Sequence, residues 1–143
     1  MRPVPKLKTL SLSKCKEKAW NAFSKYIRLR DAIKTTGTKD RALCVTCGND
    51  FPAFGKGCIQ AGHFLPGRHA GILFDEKNVH AQCVICNRFR RGEYAKYTRF
   101  MQKAYGQAEI DRLLQTELDD PHFKAYQYLE IADLFKNKLE ELS

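Results

Sequence analysis

Cys44-Val45-Thr46-Cys47 and Cys83-Val84-Ile85-Cys86-Asn87 stand thirty-five residues apart (48–82), and between them run Ala61-Gly62-His63-Phe64 and Asn78-Val79-His80. Two Cys-x-x-Cys pairs can close a tetrahedral zinc site, each tight turn presenting two adjacent thiolates. A zinc site that served only as a strut would need neither a histidine between the pairs nor an asparagine directly after the last cysteine. The expectation is a zinc-braced fold that carries chemistry of its own.

Working outward, 143 residues suit one domain with a real core and are too few for two. No run approaches the roughly 18 apolar residues of a membrane span. The first dozen residues lack the apolar centre of a signal peptide, which places the chain in the cytoplasm. A reducing cytosol does not sustain structural disulfides, so six cysteines read as metal ligands and spare thiols. The net charge of +9 is uneven. Residues 1–43 hold twelve Lys/Arg against three acids, residues 44–103 nine against four, and residues 104–143 four against nine. A cationic front and an acidic tail concentrate positive field where a polyanion would dock, and speed its encounter with nucleic acid.

Residues 1–12 read as a flexible basic arm, and 13–143 as a single domain. Within it, a helix capped by Ser13 occupies 13–36, with Trp20, Phe23 and Ile27 at helical spacing and Gly37 ending it. The zinc-braced core occupies 42–92: a strand over Cys58–Phe64, a turn-rich loop, a second strand over Ile72–Phe74, and a helix from Cys83 to about Arg91 stopped by Gly92. The rest, 93–143, is helical, with helices from Glu93 to Tyr105, from Gln107 to about Leu118, and from an Asp120 cap with Pro121 in first position. The fold class is α+β, a zinc-pinned ββα unit flanked by helices at both ends.

Phosphodiester hydrolysis needs a base to activate water, a divalent cation at the leaving oxygen, and donors around the transition state. Imidazole suits the first role because its unperturbed pKa lies near neutrality. A magnesium held by few protein oxygens suits the sparse oxygen donors here. Four cysteines leave a zinc no open position, so the zinc is structural.

Cys44-x2-Cys47, Ala61-Gly62-His63-Phe64, Asn78-Val79-His80-Ala81-Gln82-Cys83-x2-Cys86-Asn87 and Arg91-Gly92 together resemble the NinG/Rap family of lambdoid phage recombination proteins, and more broadly zinc-braced HNH (His-Me finger) nucleases. The similarity extends through Ala22–Asp31 and the helical tail, roughly residues 18–142. It implies an HNH-like ββα-metal core with His63 as general base and Asn78 holding the loop that carries it. It also implies that Asn87 faces a catalytic Mg2+ or Mn2+. One position departs: many HNH enzymes carry an acidic or histidine ligand just before the base, where this chain has Gly62. His80 and Asp75 are then the candidates for a second ligand. The implied function is a metal-dependent, structure-selective endonuclease acting on D-loops and Holliday junctions in phage recombination, phage- or prophage-encoded and working in the bacterial cytoplasm. The alternative is a zinc-finger DNA-binding accessory protein without catalysis.

Other readings bear on the same residues. Cys44, Cys47, Cys58 and His63 also have the spacing of a small finger, leaving Cys83 and Cys86 to pair with His80 around a second zinc. Arg88, Arg90 and Arg91, with Arg68 in the facing loop and Lys96 beyond, form a basic surface suited to the DNA backbone, although a solvated helix face would look the same. A two-fold junction would favour a homodimer, with the apolar stripes of the terminal helices as the contact.

Overall fold

The computed structural model describes residues 10–66 and 70–143, so most of the N-terminal arm and Arg68 lie outside the described residues. The first element, α1 (Leu12–Thr36), starts two residues earlier than the Ser13 cap implies. Ser11 is the cap, its hydroxyl accepting from the Lys14 N–H at 3.2 Å. Cys15, Ala19, Phe23 and Ile27 recur on one buried stripe. The helix ends as expected at Gly37, whose φ of 71° is a left-handed conformation that suits glycine, with its N–H donated to the Ile33 carbonyl.

Two small antiparallel sheets follow. β1 (Arg41–Leu43) pairs with β2 (Asp50–Pro52), and the first cysteine pair sits in the turn between them. β3 (Gln60–His63) pairs with β4 (Val79–Gln82), with Gly62 opposite His80 and His63 opposite Val79. The partner of β3 is therefore not Ile72–Phe74. That stretch holds the short helix α2 (Ala70–Leu73). Three apolar residues cannot tell strand from helix; the reversal at Asp75–Asn78, where the Asn78 N–H reaches the Asp75 carbonyl at 3.0 Å, moves the pairing to the residues after it.

The helix expected over Cys83–Arg91 is a single wide π turn, Ile85–Phe89, closed by the Arg90 N–H on the Ile85 carbonyl at 2.8 Å. α3 (Tyr94–Ala104) and α4 (Gln107–Asp119) match expectation closely. α5 (Ala125–Leu142) starts later than the Asp120-Pro121 signal suggests. Lys124 precedes it, its N–H accepted by the Gln127 side chain at 2.8 Å.

The β3–β4 pair is packed from two sides. Ala61 and Val79 meet Phe23 and Ile27 of α1 and Phe135 of α5, and Phe23 sets its ring edge-on against Phe135 with centroids 4.7 Å apart. Full burial of a ring such as Phe23 contributes about 2–3 kcal/mol. Phe64, Leu65 and Ile72 meet Tyr97 and Met101 of α3 and Ile110 and Leu113 of α4. The outer edge of β4 is covered. The buried Asp31 carboxylate accepts the Ala81 N–H at 2.7 Å, and Arg30 donates to the Glu76 and Val79 carbonyls at 2.7 and 2.8 Å. Among the described residues no strand covers the outer edge of β3. That uncovered edge is where a groove can form.

Candidate metal centre and catalytic cleft

Cys44, Cys47, Cys83 and Cys86 converge, their Sγ atoms all within 4.8 Å of one another, and they are the only such group of His, Cys, Asp or Glu among the described residues. A tetrahedral zinc with bonds of about 2.3 Å needs sulfurs about 3.8 Å apart; Cys47 Sγ and Cys83 Sγ are 3.9 Å apart. The donor set fits a closed structural zinc. Burial alone would push the Cys44 thiol up, but the backbone N–H of Cys83, the Thr46 hydroxyl and the Cys47 N–H outweigh it and bring it down to about 6. Thr46 in turn accepts from Gln82 Nε2 at 3.1 Å, which ties the metal surround to β4. The two-finger arrangement is excluded by this geometry. Cys58 meets the Arg28 guanidinium at 3.5 Å, His63 contacts the Leu73 carbonyl, and His80 is enclosed by tyrosines.

His63 closes β3, where it lines two adjoining hollows of about 400 and 580 Å3. Asn87 lines both as well. The first is bounded by Trp20, Arg28, Gln60 and Arg88, the second by Pro66, Arg91, Tyr94 and Glu117. The His63 ring stacks on Trp20 at 5.0 Å and 21°, which fixes its plane. Its Nε2 lies 3.2 Å from the Leu73 carbonyl oxygen. A carbonyl only accepts, so Nε2 carries the proton and Nδ1 keeps its lone pair. Burial pushes the pKa below the ordinary histidine value, opposed in part by that carbonyl, so the ring is neutral at pH 7. A fixed, neutral imidazole with one nitrogen unpartnered among the described residues is a general base in form.

Asn78 is fully buried and spans the loop after His63. Its Oδ1 accepts the Leu65 N–H at 2.8 Å, and its Nδ2 donates to the Leu65 and Ile72 carbonyls at 3.1 and 3.2 Å. Asn87 donates Nδ2 to Gln60 Oε1 at 2.9 Å, which turns its own Oδ1 away from Gln60. Gln60 is thus a site residue the motif reading missed. It shares a strand face with Gly62 and not with His63, so alternation along β3 gives no sign of it; Gln60 reaches the cleft through Asn87. Trp20 and Arg28 were also missed, because helical spacing assigns them to the core stripe and the outer face of α1. Glu117 arrives from α4, a contact no local pattern reports.

The other expected residues fall elsewhere. His80, 4 % exposed, meets the Tyr97 and Tyr105 hydroxyls at 3.0 and 2.7 Å with its two ring nitrogens. It has no nitrogen left for a metal. Asp75 caps its own turn and pairs with Arg112 at 3.0 and 3.2 Å, so it too is withdrawn. Gly62 has a steric cause: a Cβ there would stand 2.2 Å from Gln82 Oε1, a buried oxygen without a hydrogen-bond partner among the described residues. Arg88 and Arg91 border the cleft, Arg90 pairs with Glu93 at 3.3 Å, and Lys96 is exposed on α3. Among the described residues no helix is long and apolar enough to cross a membrane.

The family model described as "Bacteriophage Lambda NinG protein" matches residues 3–143. The chain is 35 % identical over 77 residues to protein ninG of Salmonella phage P22 and 34 % identical over 77 residues to protein ninG of Escherichia phage lambda. Each match covers 52 % of this chain and 36 % of the relative, so it spans about a third of the length of those proteins. Protein ninG of Escherichia phage 933W is similar to the same extent, at 35 % over 77 residues. No solved structure matches the chain.

Proposed function

The chain belongs to the NinG family, and from that membership and the cleft's geometry we propose that it is a zinc-braced, HNH-like endonuclease. Its substrate on this reading is branched DNA, D-loops and Holliday junctions formed in phage recombination, and its reaction needs Mg2+ or Mn2+. The observation that carries the proposal is the shared cleft of His63 and Asn87. A neutral imidazole, locked by Leu73 and Trp20, lies in one groove with an amide whose oxygen is turned away from Gln60.

On this reading His63 Nδ1 takes a proton from water as the oxygen attacks phosphorus, and the bond from phosphorus to the sugar oxygen breaks. Asn78 holds the loop beneath it. Arg28, Arg88 and Arg91 line the cleft as donors to phosphate oxygens, which gives affinity with little base specificity. Asn87 Oδ1, with Gln60 beside it, would hold the divalent cation, most of whose remaining sites belong to water and phosphate. A bound cation would supply positive charge to the leaving oxygen. A homodimer would match the two-fold symmetry of a junction.

One observation favours a non-catalytic DNA-binding accessory role instead: the position before the base is closed to any side chain by Gln82. The two readings part in a cleavage assay with zinc-loaded protein, magnesium or manganese, and linear, D-loop and four-way substrates. His63→Ala should lower cleavage about 100-fold or more with zinc content and junction binding unchanged. No cleavage by the wild type with either metal would leave the accessory role.

A further inference from the structure

The π turn that delivers Asn87 and Arg88 to the cleft also holds an aromatic ring out in solvent. Phe89 is 78 % exposed, more than any other large apolar residue described. Ile85, at the other end of the turn, is 52 % exposed, and Tyr94 is 57 % exposed with its ring lying flat on Phe64 at 5.3 Å and 3°. Leaving a phenylalanine in water forgoes about 2–3 kcal/mol of burial. A flexible segment would fold such a ring away, but this one is tied at several points. The Asn87 N–H reaches the Cys83 carbonyl and the Gly92 N–H the Cys86 carbonyl, each at 2.8 Å. Gln82 Nε2 holds the Gly92 carbonyl at 2.9 Å. Arg91 and Glu93 sit at φ of 52° and 48°, left-handed conformations that cost about 1–2 kcal/mol each. The turn is rooted in two metal-site cysteines and is followed closely by two strained residues, and its outcome is a projecting ring.

The charge around the ring selects its partner. Arg88, Arg90 and Arg91 are all exposed, and among the described residues Arg88 and Arg91 have no acidic partner. A second apolar protein surface would have to bury those guanidiniums unpaired, at a cost of several kcal/mol. A polyanion with aromatic faces satisfies both kinds of group at once. In continuous duplex those faces are covered by neighbouring bases; at a branch point a base face is open. Stacking of a base on an aromatic side chain is worth about 1–3 kcal/mol.

We infer that Phe89 is a stacking wedge for an unpaired or unstacked base at a DNA branch. It selects branched over linear DNA and sets the branch beside the His63–Asn87 cleft. This rests on the nucleic-acid reading of that cleft and not on its catalysis.

The test is binding by the zinc-loaded full chain with calcium in place of magnesium, so that no cleavage is needed. Labelled linear duplex, a D-loop and a four-way junction are compared, with 2-aminopurine at the branch. Phe89→Ala should weaken branched-DNA binding about 5- to 150-fold, the range that such stacking corresponds to, and abolish the 2-aminopurine response. It should leave linear-duplex affinity unchanged. Phe89→Trp should retain both properties. An equal loss on all three DNAs, an unchanged 2-aminopurine signal, or no branch preference in the wild type would overturn the inference. So would a change in sedimentation of Phe89→Ala, which would make the ring a protein contact. Branch-selective binding that depends on Phe89 in a protein that never cleaves would uphold the wedge while removing the nuclease reading.

Discussion

His63 and His80 lie on one two-stranded sheet, on neighbouring strands, one register step apart, and they point to opposite faces. His80 faces Tyr97 and Tyr105, which use both of its nitrogens. His63 faces Trp20, spends one nitrogen on the Leu73 carbonyl, and lines a cleft, its other nitrogen having no partner among the described residues. Burial depresses both rings below the ordinary histidine value. The difference is whether a lone pair is left over. The same desolvation acts on both rings, and strand parity decides which one sits between tyrosines as a strut and which one lies beside the cleft, where we propose that it transfers a proton.

The largest way to break this contrast is to remove the metal. Cys83 directly follows β4, and Cys44 sits just after β1, so the thiolate cage fixes the sheet both histidines depend on. Structural zinc contributes about 10–16 kcal/mol at neutral pH, as much as or more than the roughly 5–15 kcal/mol that holds a domain together. Chelation should therefore erase the near-UV dichroism and the cooperative melt, along with one equivalent of zinc per chain. A stripped chain that still melts cooperatively would show that the helices alone carry the fold.

Much of this was legible in the sequence, and the losses have physical causes. The cysteine cage followed from spacing, because a Cys-x-x-Cys turn presents its ligands whatever surrounds it. The helices at both ends followed from apolar period, and Gly37 from its place at the end of α1. His80 was misjudged because its strand was misplaced. With β4 assigned to 72–74, the alternation that pairs His80 with Gly62 could not be read. The emptiness of position 62 was visible, but its cause was not, since the Gln82 oxygen that fills it comes from across the sheet. The π turn was hidden because a helical pattern of five residues does not report an extra residue in its hydrogen bonds.

A smaller effect sharpens the contrast from the strut's side. His80 is lowered to about 3, first by burial, with Arg30 and Lys34 reinforcing this and Asp31 opposing it. An unfolded histidine titrates near 6.5, so below that pH the unfolded chain binds a proton that the folded chain refuses. The stabilising effect is complete above about 6.5 and is lost as pH falls toward 3, on the order of 5 kcal/mol in all. Urea melts between pH 7 and 4 should show that slope, and His80→Phe, which cannot titrate, should flatten part of it. A variant with the wild-type slope would place the acid sensitivity on other groups.

The smallest effect belongs to the proposed base, His63, and it reads out in rate instead of stability. His63 is lowered by burial while it keeps one nitrogen free. An exposed histidine base would lose about nine-tenths of its active form at one unit below 6.5. A depressed one keeps more, so the acid limb of kcat/KM should fall below pH 6.5, at a cost in that interval of less than about 1.4 kcal/mol. Trp20→Ala removes the stacked ring that buries the imidazole. It should let water in and move the limb back toward 6.5 without moving the His80 stability slope. A limb that stays in place in Trp20→Ala would mean that the stacking does not set this pKa. A limb at or above 6.5 in the wild type would mean that a different group takes the proton. Either result would reduce the two histidines to one kind.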